Sequence, residues 1–153
     1  MLKQDILSII TRMIPEACLI IYSIYLLTKS KVDMKKIIIS GIIGGIGIYL
    51  IRFLPIHFGV HTILSIMLYI LLAVKLNKMD VYKAIAITLL SIIILFSSDL
   101  VFVFLYTKIF QISSEILFSE GWVANITGIP PLLLLYLVIR LIAYFKEKKV
   151  NHE

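Results

Sequence analysis

The sequence predicts an all-α integral membrane protein, a bundle of five transmembrane helices that forms a single domain over residues 1–153. Hydrophobic residues make up 61% of the chain, against about 45–50% in soluble domains, and the mean hydropathy is +1.05. These residues lie in five long runs, each close to the roughly 20 residues that a helix needs to cross a bilayer. Lysines lie in short clusters between the runs, a pattern typical of membrane topology.

The five runs differ in what interrupts them. The predicted spans cover residues 6–28, 37–54, 58–74, 84–106 and 122–145. Pro15 lies in the first span, so that helix is expected to begin before the proline and to bend near its outer end. The second span contains Gly41-x-x-x-Gly45, which favours close approach of another helix. Alternatively, these glycines could leave the helix backbone free of side chains so that a ligand can approach it.

The distribution of basic residues predicts which side of the membrane each end faces. Eleven Lys and Arg residues flank the spans on one side, and four (Lys3, Arg12, Arg52 and Lys108) lie on the other. The positive-inside rule places the larger group in the cytoplasm. We therefore expect the N-terminus outside and the C-terminus in the cytoplasm, in a multi-pass membrane protein. The charge of +6 does not indicate nucleic-acid binding, because it does not gather on one soluble face.

Polar side chains from distant parts of the chain are predicted to meet in the outer third of the bundle. A charge in hydrocarbon costs from about 2.5 to over 10 kcal/mol, so such side chains usually face the interior and find partners. The candidate ligand-binding residues are Glu16, Arg52, His57, His61, Asp99, Trp122 and Asn125. Asp99 lies deepest in its span, and a salt bridge from Asp99 to Arg52 is the leading expectation for this layer.

Several of these residues have a simpler alternative role. Arg12 and Glu16 are four residues apart on one helix and could neutralise each other. The Arg52 side chain could extend to the outer headgroups. His57 and His61 have ligand-like spacing, and with a carboxylate they could bind zinc, or one could titrate as a pH sensor. Hydrogen-bonding histidines at an interfacial turn are the commoner outcome, so no metal site is predicted.

No motif in the chain indicates catalysis, and we predict that the protein is not an enzyme and uses no cofactor. The sequence contains no His-Glu-x-x-His and no nucleophile elbow with a Ser-His-Asp order. Cys18 is the only cysteine, and it is expected to pack in a helix as a small hydrophobic residue. A membrane cysteine peptidase is a minor alternative.

Three segments together carry a family resemblance: Ile14-Pro-Glu-Ala17, Arg52-Phe-Leu-Pro-Ile-His-Phe-Gly-Val-His-Thr62, and Gly121-Trp122 followed by Gly128-Ile-Pro130. They resemble the N-terminal membrane sensor module of clostridial sensor histidine kinases with a GHKL-type ATPase. This broad class contains the peptide-pheromone receptor of accessory gene regulator systems. The resemblance covers nearly the whole chain, and Arg-x-Leu-Pro-x-x-Phe-Gly-x-His is its most specific motif.

The resemblance implies a multi-pass protein of a bacterial cytoplasmic (inner) membrane with a role in binding or signalling. In that class the module senses an extracellular signal and passes it to a cytoplasmic kinase. Kinase activity itself is not implied, because no phosphoacceptor His region and no ATP-binding domain follow Lys149 in this sequence. The residues that match the family's positions are Glu16, Arg52, Pro55, Gly59, His61 and Trp122.

The first function hypothesis is a receptor-like sensor module that binds an extracellular peptide or small anionic ligand in its outer half. Arg52 would hold an acidic group, with Asp99 as its resting partner, and the module would signal through a cytoplasmic or membrane partner or a homodimer. A substrate-binding membrane subunit of a transporter is the second hypothesis, because Gly-rich spans and intramembrane charges suit it equally. The third is a structural or anchoring protein, whose basic tail could bind anionic lipid.

Overall fold

The computed structural model describes residues 9–55, 58–112, 117 and 126–150, which are helical between short turns and contain no strand. The five helices are α1 (π-helical Ile9–Met13, then α-helical Ile14–Leu27), α2 (Met34–Phe53), α3 (α-helical Phe58–Leu71, then π-helical Leu72–Leu76), α4 (Val81–Lys108) and α5 (Ile129–Val150). Each is long and apolar enough to cross a membrane. For the described residues, the predicted all-helical fold with five helices long and apolar enough to span a membrane is confirmed. Residues 6–8 and 122–125 of the predicted spans lie outside the described residues.

Helices α2 and α4 both begin about one turn before the spans that hydropathy predicts. The Asp33 carboxylate accepts a hydrogen bond from the Lys36 backbone N–H at 3.2 Å, and the Asp80 carboxylate accepts one from the Lys83 N–H at 3.1 Å. An N-terminal cap of this kind satisfies a donor that has no partner within the helix. The prediction began each span at the first apolar residue, and it therefore missed the capped turn that carries the lysines.

The change of helix type in α1 occurs next to Pro15. Ile9–Met13 is π-helical, and the α-helical part covers Ile14–Leu27. A proline has no backbone N–H to donate, and a wider π turn before it is one way for the chain to accommodate that loss. The prediction that this helix begins before the proline is confirmed.

Helix α1 is the element on which the bundle is assembled. It packs mainly against α2, α4 and α5, whereas α3 packs mainly against α2 and α4. Ala17, Ile20, Ile21 and Ile24 of α1 are completely buried and contribute to two of the three hydrophobic clusters that join the helices. Polar side chains on α1 can therefore reach partners on several other helices.

The predicted packing role of Gly41-x-x-x-Gly45 is confirmed at the contact between α1 and α2. A Cβ atom added to Gly41 would collide with the Cys18 Sγ atom. A Cβ atom added to Gly45 would lie 2.5 Å from Ile14 Cγ1 and 3.0 Å from the Ile14 backbone nitrogen. The two backbones approach so closely that only glycine fits without a shift. Cys18 packs in this contact, as expected.

Large apolar side chains cover the outside of the bundle. On α4 alone, Ile93 is 62% exposed, Leu100 72% and Phe104 62%. Soluble monomers rarely expose a contiguous apolar surface larger than a few hundred Å², whereas hydrocarbon is a favourable environment for it. The outer surface therefore supports a multi-pass membrane protein.

A buried hydrogen-bond network joins three helices at the end of the bundle away from Arg12. The Asn77 side chain accepts a hydrogen bond from the Tyr25 hydroxyl at 3.0 Å. It donates to the Ser40 hydroxyl at 2.8 Å and to the Leu72 carbonyl at 2.9 Å. All of the polar groups of the amide are thus engaged in a buried site, and the network fixes the adjoining ends of α1, α2 and α3.

Candidate ligand-binding site

A salt bridge between helices that are far apart in the sequence joins Arg12 of α1 to Asp99 of α4. Arg12 Nη2 donates to Asp99 Oδ2 at 2.9 Å, and the two side chains are 35% and 26% exposed. The expected salt bridge from Asp99 to Arg52 is therefore wrong. Asp99 does pair with an arginine, as expected, but that arginine is Arg12 of α1 and not Arg52 of α2.

The packing of the helices explains why Asp99 selects Arg12. Helix α1 packs directly on α4, whereas α2, which carries Arg52, packs chiefly on α1 and α3. Arg12 lies in the first turn of α1 and faces α4 across this contact. A residue in a membrane finds its partner on the neighbouring helix, because reaching across a third helix would leave both charges in hydrocarbon.

Glu16 takes its hydrogen bond from α3 and not from its neighbour on α1. The Tyr69 hydroxyl donates to Glu16 Oε1 at 2.9 Å, and Tyr69 is 1% exposed. No salt bridge joins Arg12 to Glu16 in the described part of the chain, but the Arg12 charge still acts on the Glu16 carboxyl group. The alternative of mutual neutralisation at four-residue spacing is therefore realised only in part, without a direct contact.

Five side chains form what we call the polar cluster: Arg12, Glu16, Arg52, Tyr69 and Asp99. Glu16 is its central member, because both arginines and Asp99 interact electrostatically with the Glu16 carboxyl group. Two arginines and two carboxylates give the cluster a balanced formal charge when all four are ionised. A charge-balanced group of side chains of this kind can be held within a membrane bundle.

Arg52 differs from the other charged members of the polar cluster in its exposure. It lies in the last turn of α2, where a cation is favourable for the helix dipole, and its side chain is exposed. Among the residues that the structure describes, it makes no salt bridge or hydrogen bond. Arg12 is held by Asp99 and Glu16 by Tyr69, so Arg52 is the cation of the cluster that is best placed to meet an incoming anion.

The histidine region is described only in part. His61 Nδ1 lies 2.9 Å from the Ile51 carbonyl, a carbonyl that also accepts from the Leu54 N–H at 3.2 Å. His61 thus ties the beginning of α3 to the last turn of α2, which is the hydrogen-bonding role that the sequence favoured. His57, Trp122 and Asn125 lie outside the described residues, as does the pairing of His57 with His61.

The described side chains suggest anion binding more readily than metal binding. In residues 9–55, 58–112, 117 and 126–150, no three His, Cys, Asp or Glu side chains are grouped so that they could hold a metal ion. The two carboxylates of the polar cluster already accept hydrogen bonds from Arg12 and Tyr69. An exposed guanidinium, by contrast, can bind a carboxylate or phosphate through two parallel hydrogen bonds.

Tyr69 is the member of the polar cluster that the sequence analysis missed. It lies well inside the third apolar run, where its neighbours Leu68 and Ile70 give no hint of a polar site. The available signal was its depth, because tyrosines that form interfacial belts lie near the ends of spans. A buried tyrosine within a span needs a hydrogen-bond partner for its hydroxyl, and Glu16 is that partner.

Comparisons with protein-family models, with curated proteins and with solved structures find no match to this chain. The polar cluster and the arrangement of the five helices are therefore the features of this chain that bear on its function.

Proposed function

We propose that the chain is a receptor-like membrane module that binds a peptide or small anionic ligand at the polar cluster and signals to a partner protein. The observation that carries the proposal is the exposed Arg52 guanidinium beside a set of charges that already have partners. Arg52 binds the acidic group of the ligand, and the Glu16 carboxylate accepts a hydrogen bond from an N–H or O–H group elsewhere on the ligand. Asp99 positions Arg12 and does not act as the resting partner of Arg52.

Helix α1 provides a direct route from the polar cluster to the opposite end of the bundle. It carries Arg12 and Glu16 near its beginning, and Tyr25 of the buried Asn77 network near its end. The Lys146 side chain of α5 donates to the carbonyl of Leu27, the last residue of α1, at 2.9 Å. A ligand that shifts α1 would therefore alter contacts with α2, α3 and α5 at the end where a cytoplasmic partner would bind.

The proposal predicts that Arg52→Gln loses a ligand that the wild-type protein retains. Both proteins are purified from native membranes in mild detergent, and the co-purified peptides and small molecules are identified by mass spectrometry. We expect an anionic species that is enriched with the wild type to fall about tenfold or more with Arg52→Gln, because a charge-assisted, two-pronged contact is lost. Arg140→Gln is the matched control, since Arg140 is an exposed arginine on α5 outside the polar cluster.

Two results would count against the proposal. Equal retention of every anionic species by Arg52→Gln and Arg140→Gln would indicate that Arg52 only extends to lipid headgroups. Accumulation of the identified species inside sealed vesicles containing the protein would instead indicate the transport hypothesis, because a receptor binds its ligand without concentrating it.

The proposal also requires the polar cluster to face outward, as the positive-inside rule suggests. Single cysteines are introduced at Lys29 and at Lys108 in a Cys18→Ser background, and intact cells are treated with a membrane-impermeant maleimide. Lys108→Cys should be labelled in intact cells, whereas Lys29→Cys should be labelled only after the membrane is permeabilised. The reverse pattern would place the polar cluster in the cytoplasm and would refute an extracellular ligand.

A further inference from the structure

The turns at the other end of the bundle line an open cleft that is separate from the polar cluster. The turn between α1 and α2 lies beside the turn between α3 and α4, and the cavity between them has a volume of about 740 Å³. Its lining consists of residues 30–36 and 77–79 together with Tyr25. We call it the lysine cleft, because Lys31, Lys35, Lys36 and Lys78 are among these residues.

The floor of the lysine cleft is firmly held by hydrogen bonds. Tyr25 and Asn77 are 4% and 5% exposed and are joined by a hydrogen bond of 3.0 Å. The Ser30 N–H donates to the Tyr25 carbonyl at 3.1 Å, and the Met79 N–H donates to the Ala73 carbonyl at 3.0 Å. The two turns are thus anchored to the ends of α1 and α3, and the cleft is a fixed feature of the fold.

The charge of the lysine cleft is strongly positive. Its lining contains four lysines and one aspartate, a formal sum of +3. Asp33 is already engaged, because its carboxylate caps α2 and lies 3.6 Å from Lys36 Nζ. Lys31, Lys35 and Lys78 are exposed and make no salt bridge with any described residue. They are therefore available to an anion.

The position of the lysine cleft indicates the source of that anion. The spans Ile9–Leu27 and Gly59–Leu76 end beside it, and Met34–Phe53 and Val81–Lys108 begin there, so it lies at the level of the lipid headgroups. Val32 and Met34 at its rim are 43% and 58% exposed. An apolar rim next to a cationic pocket matches an amphiphile whose headgroup is anionic and whose chains continue into the bilayer.

We propose that the lysine cleft is a binding site for the phosphate of an anionic phospholipid headgroup, held by Lys31, Lys35 and Lys78 above the Tyr25–Asn77 floor. The site is independent of any ligand at the polar cluster. It also differs from general attraction of a basic surface to an anionic membrane, because it depends on where the lysines lie and not only on their number.

A pair of triple variants separates a defined site from general attraction. The cleft variant carries Lys31→Gln, Lys35→Gln and Lys78→Gln. The control variant carries Lys29→Gln, Lys75→Gln and Lys83→Gln, which removes three exposed lysines from the same end of the bundle but outside the cleft lining. The backbone strain is matched as well, since Lys78 and Lys29 have similar positive φ angles of 53° and 55°.

The measurement is lipid binding to the purified protein in detergent, by native mass spectrometry and by thermal unfolding. The probes are phosphatidylglycerol, phosphatidylcholine and inorganic phosphate. We expect the wild type and the control variant to bind and be stabilised by phosphatidylglycerol in preference to phosphatidylcholine. The cleft variant should bind phosphatidylglycerol about tenfold or more weakly, because three headgroup-level lysines are lost.

Three outcomes would overturn the proposal. Equal losses of phosphatidylglycerol binding in the cleft and control variants would indicate only general charge attraction. Equal binding of phosphatidylglycerol and phosphatidylcholine would show that the cleft does not select an anionic headgroup. Stabilisation by inorganic phosphate without stabilisation by phosphatidylglycerol would assign the cleft to a free phosphate.

If the triple cleft variant does not fold, the single Lys35→Gln variant is used instead, because Lys35 is at an exposed helical position. It should still weaken phosphatidylglycerol binding about threefold or more, with Lys83→Gln as its control.

Discussion

Asp99→Asn is expected to lower the free energy of unfolding by about 2 kcal/mol, because it leaves the Arg12 guanidinium without its counter-ion. Breaking a fully buried ion pair costs about 3–5 kcal/mol, and an exposed one costs less than about 1 kcal/mol. The Arg12 and Asp99 side chains are 35% and 26% exposed, so the pair is less enclosed than the first case. Because it lies within membrane spans, it is also less hydrated than a surface pair in water, and its cost should lie between the two cases. Equilibrium unfolding of the purified protein in detergent measures the loss.

A double-mutant cycle tests whether the loss belongs to this pair. Arg12→Gln together with Asp99→Asn should recover part of the stability, with a coupling energy of about 1–2 kcal/mol. The matched control combines Arg52→Gln with Asp99→Asn, and its coupling energy should be clearly smaller than that of the Arg12 cycle, because Arg52 and Asp99 make no salt bridge and share only the Glu16 carboxyl group. A larger coupling in the Arg52 cycle than in the Arg12 cycle would restore the pairing that the sequence suggested.

The five-span architecture could be predicted from the sequence because the bilayer leaves few alternatives. Backbone polar groups in hydrocarbon must bond within their own segment, so an apolar run of sufficient length becomes a helix. The helix ends were harder to predict from hydropathy. Asp33 and Asp80 extend α2 and α4 by about a turn through side-chain caps, and hydropathy does not register a cap.

The composition of the polar cluster was more predictable than its pairing. Topology fixes the depth of each side chain, so it could bring Glu16, Arg52 and Asp99 to one layer. The choice of Arg12 as the partner of Asp99 depends on which helices are neighbours and how each is rotated about its axis. Those quantities come from packing of whole helix faces, and no single residue in the sequence encodes them.

The buried Asn77 network was missed because of where Asn77 stands in the sequence. It lies between Lys75 and Lys78, in a segment whose charge predicts a solvated loop. In the structure α3 ends with the π-helical turn Leu72–Leu76, and the Asn77 side chain folds back between Tyr25 and Ser40. A change of helix type at a span end is set by tertiary contacts, and periodicity does not reveal it.

Gly45→Ala is expected to lower the free energy of unfolding by about 1–3 kcal/mol, the usual cost of overpacking a close contact. The new methyl group would lie 3.0 Å from the Ile14 backbone nitrogen and 3.1 Å from its Cα atom, and a backbone cannot rotate out of the way. Gly59→Ala is the control, since no atom of the described residues lies within 4 Å of the added atom. Alanine is favoured over glycine in helices by up to about 1 kcal/mol, so the control should be neutral or slightly stabilised in the same unfolding measurement.

A second pair of variants separates a side-chain obstacle from a backbone obstacle. Gly41→Ala meets the Cys18 Sγ atom, and beyond it only ordinary contacts at 3.4 Å. Adding Cys18→Ala should therefore return Gly41→Ala close to the stability of Cys18→Ala alone. Ile14→Ala should rescue Gly45→Ala only in part, because it removes Cγ1 but leaves the Ile14 nitrogen in place. If Gly45→Ala were as stable as Gly59→Ala, α1 and α2 would have to lie farther apart than they do in this structure. The polar cluster would then need a different geometry, because α1 carries Arg12 and Glu16 towards α4 and α3.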